Sequence, residues 1–227
     1  MIKDLIYNEN AKIKSINKEE LIQKLKKMLH KYEIMFVYFG GSISYGTFNS
    51  RNSDIDVVVF LRGFKGFIHT DLEQYDLFIF GENCIKLREE VSDELHDYER
   101  VFIDDIYALD KTLIYLDKKF ENEYESFKSF KVESVMKKYL KHIYDYFMYL
   151  YVGNETPAKR FYHVIRIKGQ LEHYKETGVY NLDMDDGYRT LMLEFKNNYN
   201  KDRGKEIYAN EIGKYLEEFK EYIEEEE

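Results

Sequence analysis

Two aspartates one residue apart, Asp54 and Asp56, stand at the mouth of the apolar run "IDVVVFL", and twelve residues before the first of them lies the serine of a Gly40-Gly41-Ser42 turn. An apolar strand has no use for carboxylates. In an extended segment residues two apart project to one side, which brings the oxygens of Asp54 and Asp56 close enough to share divalent cations. Unpaired, two such charges repel; a cation removes the conflict. Upstream, a strand that ends in Gly40-Gly41-Ser42 and turns into a helix presents backbone N–H groups without Cβ obstruction. That setting suits a phosphate, and Ser42 adds a hydroxyl donor.

A third carboxylate completes such a site if the following strand pairs beside the second. Asp76 opens "YDLFIF" among apolar neighbours, with Asp71 and Glu73 as local competitors. Asp76 ranks first because site carboxylates are best held by rigid elements, and Glu73 precedes the apolar run. Taken singly, a Gly-Gly-Ser turn, an Asp-x-Asp cap and a strand aspartate are ordinary structural features. Their order and spacing are what point to chemistry.

The elements that must position these residues are legible around them. "NKEELIQKLKKMLHKY" begins with the capping residue Asn17 and spaces Leu21, Leu25 and Met28 at helical intervals, which predicts a helix over 18–32. "IMFVYF", 34–39, is a short aromatic and β-branched run ending in glycines, read as a buried strand. "IDVVVFL" is the second strand, "RGFKG" a connection with two glycines, and "YDLFIFG", 75–81, the third strand. From Glu82 onward helical patterns dominate. Apolar residues at Met136, Leu140, Ile143, Phe147 and Leu150 predict a helix over 131–152, and Thr156-Pro157 open another to about Lys175. Two more are expected over 186–198 and 205–224. The fold class is α+β: a small mixed sheet with flanking helices, followed by a C-terminal helical bundle, with domains 1–125 and 126–227.

Bulk composition bounds the partners. With 227 residues, 44% apolar and 17% aromatic, the chain can bury a substantial core. Its single cysteine, Cys84, rules out an intrachain disulfide or a cysteine-rich zinc site, and a cytoplasmic location is expected. Residues 1–30 hold no long apolar stretch, so neither a secretory signal nor a membrane partner is expected. A net charge of −9 argues against duplex DNA as a partner. The charge is uneven, however. Residues 71–125 carry 17 acids against 6 bases, whereas 128–175 carry 10 bases against 4 acids and three of the six histidines. A basic helical segment in an acidic protein either faces a polyanion or is simply a solvated helix surface.

The succession "GGSISYGT", "SDIDVVVF" and "YDLFIF" over about residues 34–81 resembles the nucleotidyltransferase superfamily typified by DNA polymerase β. Within it, the wider pattern is similar to the predicted nucleotidyltransferases of the YcgL type, whose helical region is matched by "KRFYHVIRIKGQLEHYKETGVYNL" over about 159–182. The resemblance implies that Gly41 and Ser42 contact the β- and γ-phosphates of a nucleoside triphosphate, ATP being the first candidate. It implies that Asp54 and Asp56 bind the nucleotide metal and a second metal, Mg²⁺ or Mn²⁺, and that Asp76 binds the second metal and helps deprotonate an acceptor hydroxyl. Two such ions about 3.5 to 4 Å apart stabilise both the attacking and the leaving oxygen of an in-line displacement. "GGSISYGT" replaces the commoner single-glycine, arginine-containing form of this loop, so Ile43 and Ser44 leave the arginine contact to Arg51 in the following loop.

The second motif also has a reading from its residues. On a helix, Lys159, His163 and Arg166 fall within roughly a sixth of a turn of one another, beside the apolar stripe Val164, Ile167, Leu171 and Tyr174. Three such groups form either a clamp for a triphosphate or a basic edge that merely snorkels. Lys138 and Lys141 are weaker candidates. Arg62 and His69 also draw the eye, but in a glycine-bearing connection they are set aside. Two functions of different class follow: a metal-dependent transferase moving a nucleoside monophosphate to a hydroxyl on a small molecule, an RNA end or a protein, or a catalytically weak nucleotide-binding module acting as a regulator or antitoxin-like partner.

Overall fold

The computed structural model describes residues 17–48, 53–85, 109–128, 158–177, 186–198, 213–221 and 224. The chain forms two compact units, Met1–Phe130 and Lys131–Glu227. In the first, helix α1 spans Lys18–Met28 and is capped by Asn17, whose side chain accepts the backbone N–H of Glu20. Strand β1 is Glu33–Phe39, the one-turn helix α2 is Gly41–Ser44, and β2 is Ile55–Arg62. Then come β3 at Phe67–Leu72, β4 at Tyr75–Gly81, the short helix α3 at Leu109–Thr112 and β5 at Leu113–Leu116. A 3-10 turn at Lys118–Phe120 leads into α4, Glu121–Lys128.

The five strands make one mixed sheet in the order β3-β4-β2-β1-β5. Only β2 and β4 run parallel; the other pairs are antiparallel. Leaving β2, the chain turns through Gly63 and Gly66, both at positive φ, runs out along the sheet edge as β3 and returns as β4 between them. The hairpin turn holds Glu73 at φ +57, and its carboxylate pairs with Lys24 of α1 at 2.7 Å. That exposed pair, which Lys24 shares with Glu20, links the hairpin to α1 and turns Glu73 toward the helix.

Alternation along the strands sorts the core into two layers. Val37, Phe39, Ile55, Val57, Val59, Leu61, Leu77 and Ile79 pack with Leu21, Leu25 and Leu29 of the α1 region. Phe36, Tyr38, Val58, Phe60, Phe78 and Phe80 pack on the opposite face with Phe120, Tyr124 and Phe127. Phe60 is the centre of this aromatic layer, with ring centroids 4.7 Å from Phe36, 4.9 Å from Phe127 and 5.2 Å from Phe80. Removing so large a buried ring leaves a cavity that rigid strands cannot close. Phe60→Ala is expected to cost about 3 to 5 kcal/mol of stability. Urea unfolding of the full chain reads it, and a loss below about 1 kcal/mol would show that the layer repacks.

Two strands depart from the expectation from sequence. β3 falls in what reads as a connection, and β5 in a region that reads as helical. β3, "FIHTDL", is an edge strand whose apolar residues Phe67, Ile68 and Leu72 do not alternate with polar ones, and the four-residue β5 is too short to show a period.

In the second unit, α5 spans Ala158–Thr177, α6 spans Asp186–Asn198, and residues 213–221 are also helical. The helix expected over 131–152 lies outside the described residues. Lys168 of α5 is buried and salt-bridged to Glu172 at 2.7 Å and to Glu218 of the last helix. Burial works to lower the Lys168 pKa, but the bonds to Glu172 and Glu218 outweigh it and hold it above its ordinary value. Burial likewise works to raise Glu172, and the bonds from Lys168 and Tyr188 outweigh that, leaving it lowered. A lowered carboxylate contributes stability that is complete above its ordinary value of 4.5 and is lost as pH falls through the lowered one. Lys168→Met is expected to cost about 1 to 2 kcal/mol at neutral pH, less than a fully buried pair because both carboxylates reach water. In unfolding titrations the difference from the parent should be flat from pH 6 to 9 and shrink below about pH 4. A difference that grows on acidification would contradict this assignment of the pair.

Candidate active site

The parallel ladder between β2 and β4 pairs Asp56 directly with Asp76. In-register partners of a ladder project to the same face, so these two carboxylates stand side by side at the strand spacing of about 4.8 Å. They head the aromatic layer, one step above Val58 and Phe78. Asp71 of β3 is in turn the partner of Asp76, which makes a row of three aspartates, Asp56, Asp76 and Asp71, across three strands. Asp54 lies just before β2 and is exposed. Of the two local competitors of Asp76, Glu73 is taken by the turn, whereas Asp71 shares the face.

Gly41 closes on this row from the β1 side. The backbone N–H of Gly40 donates to the carbonyl of Asp56 at 3.0 Å, so the turn after β1 is fastened to the strand that carries the aspartate. Gly41 itself sits at φ +56, and a Cβ there would lie 1.8 Å from Asp56 Oδ2. Both facts demand glycine: the backbone is left-handed, and the carboxylate occupies the space a side chain would need. The turn is then closed by Ser44 Oγ donating to the Gly41 carbonyl at 2.7 Å and by the N–H of Thr47 donating to the Ser42 carbonyl at 2.9 Å. Ser42 thus follows directly on the glycine that touches Asp56.

Asp76 has a partner that the sequence did not single out as functional. Nε2 of His69, on β3, is hydrogen-bonded to Asp76 Oδ1, and the imidazole lies flat on the Phe78 ring with centroids 4.5 Å apart and planes 15° from parallel. Only the β3–β4 register reveals this pairing, because six residues, including a hairpin turn, separate His69 from Asp76.

The expected nucleotide contacts divide between the units. Arg51 lies outside the described residues. Lys159 and His163 are on α5, their side chains outside the described residues. Arg166 corrects the picture of an open basic edge: it is 1% exposed, and its Nη1 donates to Gln170 Oε1 at 3.2 Å. Helical spacing gives the angle of a side chain around the axis but not the depth at which its neighbours bury it.

Hard carboxylate oxygens on adjacent strands suit Mg²⁺ or Mn²⁺. At the strand spacing, two ionised carboxylates repel by on the order of 3 kcal/mol at an effective dielectric of about 20, a cost that a shared cation reverses. Asp56 and Asp76 are therefore the fitting pair, and Asp54 at the strand entrance is the side chain that would complete the set. Among the described residues no group of three His, Cys, Asp or Glu side chains is already arranged to hold a metal ion. Nor is any described helix long and apolar enough to cross a membrane.

Comparison with known families places residues 18–142 in a match to the family described as Nucleotidyltransferase domain. No curated protein matches the sequence. Among solved structures, the chain is similar to a nucleotidyltransferase-like protein from Exiguobacterium sibiricum 255-15. The two are 11% identical, the match covers 92% of this chain and 75% of that one, and the TM-score is 0.32.

Proposed function

This chain belongs to the nucleotidyltransferase domain family, and on that premise we propose that it transfers a nucleoside monophosphate from a nucleoside triphosphate, ATP first, to an acceptor hydroxyl, releasing pyrophosphate. The observation that carries the reading is the in-register pair Asp56 and Asp76 with Gly41 fitted against the first of them. The Gly40-Gly41-Ser42 turn holds the β- and γ-phosphates beside the carboxylate row. Asp76 takes the proton of the acceptor hydroxyl, whose oxygen forms the new bond to the α-phosphorus while the bond to the bridging oxygen breaks. Asp54, Asp56 and Asp76 would hold two divalent cations, which when bound supply charge neutralisation for the attacking and leaving oxygens. The narrower likeness to the YcgL type rests on the 159–182 segment, where Lys159 and His163 are proposed to meet the triphosphate and Arg166 to brace their helix from within.

The acidic surface favours a small molecule, a protein or an RNA end as acceptor over long nucleic acid, since phosphate neutralisation supplies most of the affinity for the latter. The alternative is a nucleotide-binding module with little chemistry. Label position separates the two. Incubated with Mg²⁺ and a cell extract, α-labelled triphosphate should place label on an acceptor while γ-labelled triphosphate yields only labelled pyrophosphate. Measurable triphosphate binding without either product would select the second reading.

A further inference from the structure

We propose that His69 is a positioning residue for Asp76, holding its carboxylate in the orientation that binds the cation and receives the acceptor proton; this rests on the reading of Asp76 above. Three features fix the imidazole. Its strand is locked to β4 by the register that sets His69 opposite Phe78 and Asp71 opposite Asp76. The ring is stacked on Phe78, which is itself stacked on Phe67 with centroids 6.4 Å apart. Its Nε2 is hydrogen-bonded to Asp76 Oδ1, and because an ionised carboxylate can only accept, the proton of that bond is assigned to Nε2. The side chains of His69 and Asp76 are 39% and 25% exposed, so the pair lies at the rim of the site, where a carboxylate left to itself would sample several rotamers in water.

A flat aromatic support and one directed N–H settle both the ring plane and the carboxylate it addresses. Outer partners of this kind commonly set the geometry of metal-binding side chains. His69 does not itself touch substrate in this account. It ties Asp76 to the β3 side, while Gly41 packs on Asp56 from the β1 side. The two acidic groups are thus braced from opposite edges of the row.

The test is titration of the full-length protein with Mn²⁺ alone, read as free Mn²⁺ by electron paramagnetic resonance. His69→Ala is expected to weaken Mn²⁺ binding by about 10- to 100-fold. His69→Gln, whose amide N–H can take the place of Nε2–H, should restore it to within about threefold, and His69→Ala should add nothing in an Asp76→Asn background, because the residue acts only through Asp76. In the wild-type protein, long-range ¹⁵N correlation at pH 7.5 should show the His69 tautomer protonated at Nε2, with its shift altered by Asp76→Asn. This reads the bond even if His69→Ala fails to fold. Wild-type Mn²⁺ affinity in His69→Ala, a failure of Gln to rescue, or an Nδ1-protonated tautomer would each overturn the proposal while Asp76→Asn still measurably weakens binding. If Asp56→Asn and Asp76→Asn both bind Mn²⁺ like the parent, the underlying reading of the site fails instead.

Discussion

Asp56→Asn is expected to lower nucleotidyl transfer by about a thousandfold or more, roughly 4 kcal/mol of transition-state stabilisation, while leaving the protein folded. The size follows from the position. Among the described residues, Asp56 is the carboxylate that both faces a second carboxylate in register and lies against Gly41 of the turn proposed to hold the phosphates. The change keeps the shape of the side chain and removes its charge, so the packing against Gly41 survives. Repulsion between neighbouring carboxylates also disappears, and stability should hold or rise by up to about 1 kcal/mol. Asp76→Asn and Asp54→Ala should behave alike, and the variants combined should cost little more than one alone, as expected of groups that work as a unit. Transfer within tenfold of the parent in Asp56→Asn, measured alongside urea unfolding, would remove Asp56 from the chemistry.

Gly41→Ala is expected to lower transfer by about a hundredfold with no carboxylate altered. The new methyl would begin 1.8 Å from Asp56 Oδ2 on a backbone at φ +56. A left-handed non-glycine residue costs about 1 to 2 kcal/mol. The clash cannot be absorbed without moving the carboxylate or the turn, and displacement of reacting groups by about 1 Å is enough for a loss of that size. The loss should appear in turnover and in triphosphate binding together, since turn and carboxylate share the contact. An alanine variant with parental turnover would mean that the turn is not held against the aspartate in the working enzyme.

What the sequence displayed and what it concealed divide along physical lines. β1, β2 and β4 are continuous apolar runs bounded by glycine and polar residues, and burial on both faces writes such strands plainly into a chain. Asp56 and Asp76 stood out for the converse reason, being charged where everything around them is apolar. β3 left no such mark, because an edge strand tolerates a polar run such as His69, Thr70 and Asp71 that breaks any apolar alternation. With β3 hidden, the contact from His69 to Asp76 could not be seen, nor could the direct pairing of Asp71 with Asp76; both depend on a hairpin register that spacing alone does not fix.

Gly41 shows a different limit. Its place in a Gly-Gly-Ser turn suggests room for phosphate, and the structure adds a second requirement, the Asp56 carboxylate lying where its side chain would be. In the helical unit the periodicity of α5 indicated an apolar stripe with a basic edge. It gave no sign that Arg166 is buried against Gln170 or that Lys168 is enclosed between Glu172 and Glu218, because the last helix contributes the enclosing partner from 50 residues away.

The most direct measurement is the anomalous scattering of Mn²⁺ in crystals of the full chain soaked with Mn²⁺ and a non-hydrolysable α,β-linked analogue of ATP. The account predicts an anomalous peak in contact with the carboxylates of Asp56 and Asp76, with the triphosphate laid along Gly40, Gly41 and Ser42. A peak at another cluster of acids, or a triphosphate bound away from that turn with Asp56 and Asp76 untouched by metal, would contradict it.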